Sequence, residues 1–125
     1  MASKVLMVGF HPDVVDYAKW PDLSEEKLTK GLGAQRSALV ERGFEARWEL
    51  IKEAEAGAKA LECALKNEMP DVVLIGAGVR KDDDHFILFE ELVNIIHKHA
   101  PKAAIAFNTN PSDTMEAIER RLQVG

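Results

Sequence analysis

The chain contains one cysteine, Cys63, and only 6% of its 125 residues are aromatic. A single cysteine excludes a disulfide within the chain, and its alanine- and leucine-rich surroundings predict a buried structural thiol. No apolar run is long enough to cross a membrane, and the N-terminal segment has neither the apolar core nor the cleavage site of a signal peptide. We therefore expect a cytoplasmic protein with no membrane partner.

The chain also lacks an excess of basic residues. It has 16 Lys and Arg against 21 Asp and Glu, which gives a formal net charge of −5. This balance argues against nucleic acid as the main partner, because phosphate backbones are bound by clustered positive charge. The hydrophobic residues, 46% of the chain, suffice for one core and predict a single domain over residues 1–125.

Short apolar runs alternate with longer helical patterns along the whole chain. The predicted strands are residues 4–10, 44–51, 71–79 and 102–108. The predicted helices run from a cap at Asp22 or Ser24 to Gly43, over 52–69, over 82–100, and from a cap at Asn110 or Ser112 to Leu122. This β-α-β-α-β-α-β-α order predicts a parallel sheet with right-handed crossovers and helices on both faces.

The patterns within the strands predict their order in the sheet. Residues 44–51 alternate between apolar and charged side chains, as in an edge strand with one wet face. Residues 4–10 and 71–79 are apolar almost throughout, as in central strands buried on both faces. The simplest consistent fold is a three-layer α/β/α domain, flavodoxin-like or Rossmann-like, with a four-stranded parallel sheet of order 2-1-3-4.

Such sheets bind ligands beyond the carboxyl ends of their strands, where the strand order reverses. The crevice is therefore expected between the first and third strands, with the turns at 9–13, 76–83 and 108–113 around it. His11 is a candidate acid/base, because a histidine side chain can accept and release a proton near neutral pH. The alternative is a loop histidine that is hydrogen-bonded to the backbone.

The second and third turns supply candidate ligand-binding residues. Gly76 and Gly78 would allow backbone amides to cradle an anion, or would only pack a helix against a strand. Arg80 suits bidentate capture of a carboxylate or phosphate, or would pair internally with the acidic run after it. Asn108 and Asn110 follow the fourth strand, where Asn110 is also a candidate helix cap.

The acidic run from Asp82 to Asp84, followed by His85, is a weak candidate for a metal site. Consecutive residues entering a helix point in different directions, so they rarely bind one ion together. The same carboxylates are explained as a helix cap and first-turn acids. We therefore predict no metal site, and the sequence identifies no cofactor.

The predicted topology resembles that of response-regulator receivers and of cobalamin-binding domains. In "DVVLIGAG", however, Gly76 or Ala77 stands where a receiver has its phosphorylated aspartate. The segment "GFHPDVVDY" lacks the D-x-H-x-x-G motif of cobalamin-binding domains. The resemblance therefore implies the fold and neither of these functions.

Three functional hypotheses follow from the sequence. The favoured one is a small-molecule binding domain for an anionic ligand, a carboxylate or phosphate, because none of the three turns contains a nucleophile–base pair. The second is a cofactor-independent hydrolase, lyase or isomerase, with His11 as acid/base and Arg80 orienting the substrate. The third is a partner-binding domain acting through the 82–100 helix, whose wide apolar surface also predicts a homodimer.

Overall fold

The computed structural model describes residues 3–122, which form a four-stranded, all-parallel sheet flanked by helices. The strands are β1 (Lys4–Phe10), β2 (Glu45–Ile51), β3 (Val72–Ile75) and β4 (Ala104–Phe107). Their order is β2-β1-β3-β4, which confirms the predicted three-layer fold and its strand order. The alternating strand β2 lies at an edge, and the apolar strands β1 and β3 lie at the centre.

Five helices connect or follow the strands. They are α1 (Glu25–Glu41), α2 (Ala54–Glu68), α3 (Ala77–Arg80), α4 (Phe86–His99) and α5 (Thr114–Leu122). Ser24 caps α1 as predicted, because its hydroxyl accepts a hydrogen bond from the amide of Lys27 at 3.2 Å. Asp82 likewise accepts from the amide of Asp84 at 2.9 Å and caps the single 3-10 turn Asp83–His85 that precedes α4.

The sheet separates two apolar cores. On one face Leu6 and Val8 of β1 pack with residues of α2 and α4, and on the other face Val5 and Met7 pack with residues of α1 and α5. Successive side chains of a strand point to opposite faces, so β1 is apolar from Val5 to Phe10 because both of its faces are covered.

Strand β3 is shorter than the sequence predicts. It ends at Ile75 rather than at Val79, and after Gly76 the chain forms the single helical turn α3. Val79 is still fully buried, but it reaches the core from a helical turn. A short apolar run does not distinguish these two conformations, which explains the wrong boundary.

Cys63 is exposed, so the prediction of a buried thiol was wrong. The buried side of α2 includes Leu61, Ala64 and Leu65. Cys63 is two residues from Leu61, which corresponds to about 200° around a helix, and therefore faces solvent.

None of the helices described between residues 3 and 122 combines the length and apolarity that a membrane crossing requires.

Candidate functional site

A cavity of about 640 Å³ opens where the strand order reverses, beyond the carboxyl ends of β1 and β3. Its lining comes from β1 and the connection after it, from α1, from Trp48 of β2, and from the segments after β3 and β4. The two central strands carry their helices to opposite faces of the sheet, which leaves a crevice at this point. The volume lies within the range of about 300–1,000 Å³ that is usual for small-molecule sites.

Trp48 forms one wall of this cavity and lies against Gly9 of β1. A Cβ atom on residue 9 would lie 3.2 Å from Cζ3 of the indole, so the absence of a side chain allows this close approach. The indole N–H donates a hydrogen bond to the carbonyl oxygen of Leu32 in α1 at 2.9 Å. The ring is therefore fixed by its one polar atom, while its apolar surface lines the cavity.

Most of the remaining lining is also apolar. It comes from the 12–23 connection and from α1, and includes Val14, Val15, Trp20, Leu23, Leu28 and Leu32. Both tryptophans of the chain therefore line the same cavity. Each Å² of apolar ligand surface that such walls remove from water contributes about 25 cal/mol, so the lining favours a ligand with a hydrocarbon or ring body.

Lys19 links two segments that line the cavity. Its ammonium lies 3.0 Å from a carboxylate oxygen of Asp82 and also contacts Asp84. Hydrogen bonds to Asp84 and then Asp82 raise the pKa of Lys19, and the hydrogen bond from Lys19 lowers the pKa of Asp82. Both shifts favour the charged forms of Lys19 and Asp82, and the ammonium of Lys19 lies against two carboxylates.

The polar end of the cavity is built around Asn108, which is only 4% exposed. Its Oδ1 accepts from the amide of Ala77 at 2.8 Å, and its Nδ2 donates to the hydroxyl of Thr114 at 3.0 Å. That hydroxyl donates in turn to Oε1 of Gln35, another lining residue. Asn108 is therefore at the cavity, as predicted, but both ends of its amide are bonded within the protein.

Gly76 and Gly78 also line the cavity. The backbone after β3 is largely hydrogen-bonded, however. The amide of Gly76 donates to the Val8 carbonyl, that of Ala77 to Asn108, and those of residues 79 and 80 to the Gly76 carbonyl. Few amides therefore remain for an anion. A Cβ atom at residue 76 would lie 3.4 Å from the Val8 carbonyl oxygen, and one at residue 78 would meet nothing within 4 Å.

Arg80 is half-buried and is not among the described residues that line the cavity. Its Nη2 donates to the carbonyl of Asn108 at 2.9 Å, and its guanidinium carbon lies 6.0 Å from the centre of the Phe107 ring. Lys81 does line the cavity, and its ammonium donates to the Thr109 carbonyl at 2.6 Å. The cation beside the polar end is therefore Lys81.

His11 also lies outside the lining residues within 3–122. Its Nδ1 accepts from the amide of Asp13 at 3.1 Å and caps the 3-10 turn Pro12–Val14. Its own amide donates to the carbonyl of Ile51 at 2.9 Å. The structure thus places His11 and Arg80 in hydrogen bonds to neighbouring backbone and does not bring them together in the cavity.

Asn110 lines the cavity and caps the 3-10 turn Pro111–Asp113, accepting from the amide of Ser112 at 2.8 Å. The residues that sequence reasoning missed are Trp20, Gln35, Trp48 and Lys81. The helical spacing of Leu28, Leu32 and Gln35 was visible in the sequence, but only the fold shows that this stripe faces a cavity. Trp48 reaches the site through the pairing of β2 with β1, which no local pattern shows.

Within the described residues 3–122, no group of three or more His, Cys, Asp or Glu side chains is arranged to hold a metal ion. Comparison with known proteins assigns no family: no family model matches the chain, and no curated protein sequence is significantly similar to it. The chemistry of the cavity is therefore the guide to function.

Proposed function

We propose that the chain is a small-molecule binding domain whose ligand has an apolar, ring-containing body. The observation that carries this proposal is the 640 Å³ cavity at the reversal of strand order, with both tryptophans in its lining. Apolar and aromatic walls that carry a smaller number of polar groups are typical of sites that bind small organic molecules.

The anionic group expected from the sequence is proposed to lie beside Lys81. Lys19 is paired with two carboxylates, whereas the hydrogen-bond partner of Lys81 is the neutral Thr109 carbonyl. The positive charge of Lys81 is therefore not offset by a contact in the described structure. A carboxylate, phosphate or sulfonate near the 108–110 segment would pair with it.

Two related dyes test the proposal. N-phenyl-1-naphthylamine is neutral, and 8-anilinonaphthalene-1-sulfonate has the same rings with a sulfonate. Gly78→Leu is expected to weaken both dyes at least tenfold, because residue 78 lines the cavity and a side chain there enters open space. The measurement is a fluorescence titration of each purified variant.

The matched control for this experiment is Gly33→Leu. Residue 33 lies on α1 outside the lining residues, and a Cβ atom there also meets nothing within 4 Å. Dye affinities within twofold of the original protein are expected for this control. If Gly78→Leu binds both dyes as well as the control does, the dyes bind elsewhere and the proposed site is wrong.

Lys81→Ala separates the anionic part of the proposal from the rest. It is expected to weaken the sulfonate dye about three- to tenfold, the usual worth of a partly exposed charge-assisted contact, and to leave the neutral dye unchanged. Lys102→Ala is the control, since residue 102 is exposed and outside the cavity lining. Equal losses for both dyes, or no loss for either, would remove Lys81 as the anion partner.

Catalysis by His11 and a homodimer through α4 stay predictions. For the homodimer there is one specific observation: Phe86 and Ile87, at the start of α4, are 58% and 70% exposed. Large exposed apolar side chains on one helix are typical of contact surfaces. Sedimentation equilibrium would check the assembly, and a monomer at all concentrations would contradict it.

A further inference from the structure

Gln35 lines the cavity, and a chain of hydrogen bonds through Asn108 and Thr114 orients its side-chain amide. Its side-chain oxygen accepts from the hydroxyl of Thr114. Within residues 3–122 its amide nitrogen Nε2 makes no hydrogen bond to the protein. A partly buried N–H donor beside an otherwise apolar wall is therefore left for whatever occupies the cavity.

The orientation of this donor follows from a backbone amide. The N–H of Ala77 is only a donor, so Asn108 must present its oxygen there and its NH₂ group to Thr114. The Thr114 hydroxyl accepts this bond and donates onward to the oxygen of Gln35. In this arrangement the oxygen of Gln35 faces Thr114, and its NH₂ group makes no hydrogen bond to the residues that the structure describes.

From this relay we infer that Gln35 determines ligand specificity by offering an N–H donor, and that the ligand carries a hydrogen-bond acceptor such as a carbonyl or carboxylate oxygen. The inference rests on the proposed function, because it concerns the same cavity. It adds the chemical class of the group that the ligand presents to α1. A ligand with an apolar group there would shield this partly buried donor from water without giving it a partner, and the cost of that loss would make the site selective for an acceptor.

Two naphthalenes of nearly identical shape test the inference. 2-Acetylnaphthalene has a carbonyl oxygen where 2-isopropenylnaphthalene has a CH₂ group, so the pair differs mainly in the acceptor. Each is titrated against bound N-phenyl-1-naphthylamine, and the ratio of the two affinities is compared between proteins. This ratio cancels the different hydration of the two compounds, because both proteins are measured in the same solvent.

Gln35→Met, which keeps the length of the side chain and removes the donor, is expected to lower the ketone-to-alkene ratio about three- to tenfold. Gln35→Glu, which has two acceptor oxygens, is expected to lower it at least as far. Thr114→Val should also lower the ratio although Gln35 is intact, because the Gln35 amide is then free to turn. Thr114→Ser keeps the hydroxyl and should preserve the ratio.

The outcomes separate the inference from the proposed function. If both naphthalenes displace the dye and the ratio stays within twofold in Gln35→Met and Gln35→Glu, the cavity binds rings but Gln35 does not select acceptors. If Thr114→Val keeps the ratio while Gln35→Met loses it, the relay is wrong. If the dye binds the original protein but neither compound displaces it, the inference fails while the proposed function stands. If the dye itself does not bind, the proposed function fails. Circular dichroism of each variant checks that it is folded before its affinities are compared with those of the original protein.

Discussion

Asn108→Leu is expected to lower the free energy of unfolding by about 1–3 kcal/mol, the usual cost of a buried polar group that loses its hydrogen-bond partner, because the Ala77 amide loses its acceptor. The substitution removes the acceptor for the Ala77 amide and the donor to Thr114, while leucine has a similar volume. The change is measured by urea unfolding monitored by circular dichroism. The dependence of the unfolding free energy on urea concentration should be the same in both proteins.

Asn94→Leu is the matched control for this prediction. Asn94 is exposed on α4, and its side chain bonds only to the Glu90 carbonyl one turn earlier. A surface change of this kind is expected to stay within about 0.5 kcal/mol. A loss below about 1 kcal/mol in Asn108→Leu would mean that water replaces the missing partners and that the relay is not a structural necessity.

The position of Asn108 connects stability to the proposed site. It joins the end of β4 to the first residue of α3 and, through Thr114, joins α5 to Gln35 on α1. These are the elements that surround the reversal of strand order. The same hydrogen bonds that hold the ends of β3 and β4 together therefore set the polarity of the cavity wall.

The layout of the sheet could be predicted from the sequence because burial has a local signature. Val5 and Leu6 are adjacent in the sequence and are buried on opposite faces of β1. The edge strand β2 alternates apolar and charged side chains, and most of its residues are only partly buried. Together with right-handed crossovers, these two patterns leave little freedom in the strand order. The carboxyl edge, and hence the location of the cavity, follows from that order.

The lining of the cavity could not be predicted in the same way. Arg80 follows the glycines closely in sequence, but side chains rotate by about 100° per residue in a helical turn, and α3 directs Arg80 to the Asn108 carbonyl. Lys81, one residue later, reaches the cavity. Trp20 and Trp48 are 28 residues apart in the sequence, and only the tertiary fold places both in the lining of one cavity.

Gly57→Ala is expected to destabilise the fold by about 1–3 kcal/mol, the usual cost of overpacking a core. A Cβ atom at residue 57 of α2 would lie 2.6 Å from Cγ2 and 2.8 Å from Cγ1 of Ile51. Ile51 is 1% exposed, so it can move away from residue 57 only by displacing its neighbours in the core. Alanine is otherwise the better helix former by about 1 kcal/mol, so a loss of stability measures the steric conflict directly.

The same substitution at Gly33 is expected to have the opposite sign. Residue 33 lies inside α1, is exposed, and a Cβ atom there meets nothing within 4 Å. Gly33→Ala should therefore stabilise by about 0.5–1 kcal/mol through helix propensity alone. Thermal unfolding of both variants in the same buffer shows whether each substitution raises or lowers stability. If Gly57→Ala and Gly33→Ala change stability in the same direction, the close packing of α2 on β2 is contradicted.

Ile51→Ala combined with Gly57→Ala isolates the contact between α2 and the end of β2. Because residues in contact are not additive, the double variant is expected to lose less stability than the sum of the two single changes. The carbonyl of Ile51 accepts the amide of His11, where the connection bordering the cavity begins. If Ile51 shifts in Gly57→Ala, this variant should also bind the neutral dye more weakly. The double variant has no steric conflict between residues 51 and 57, so it should bind the dye as the original protein does. Unchanged dye binding in Gly57→Ala would show that β2 accommodates the new Cβ atom without moving the connection that follows His11.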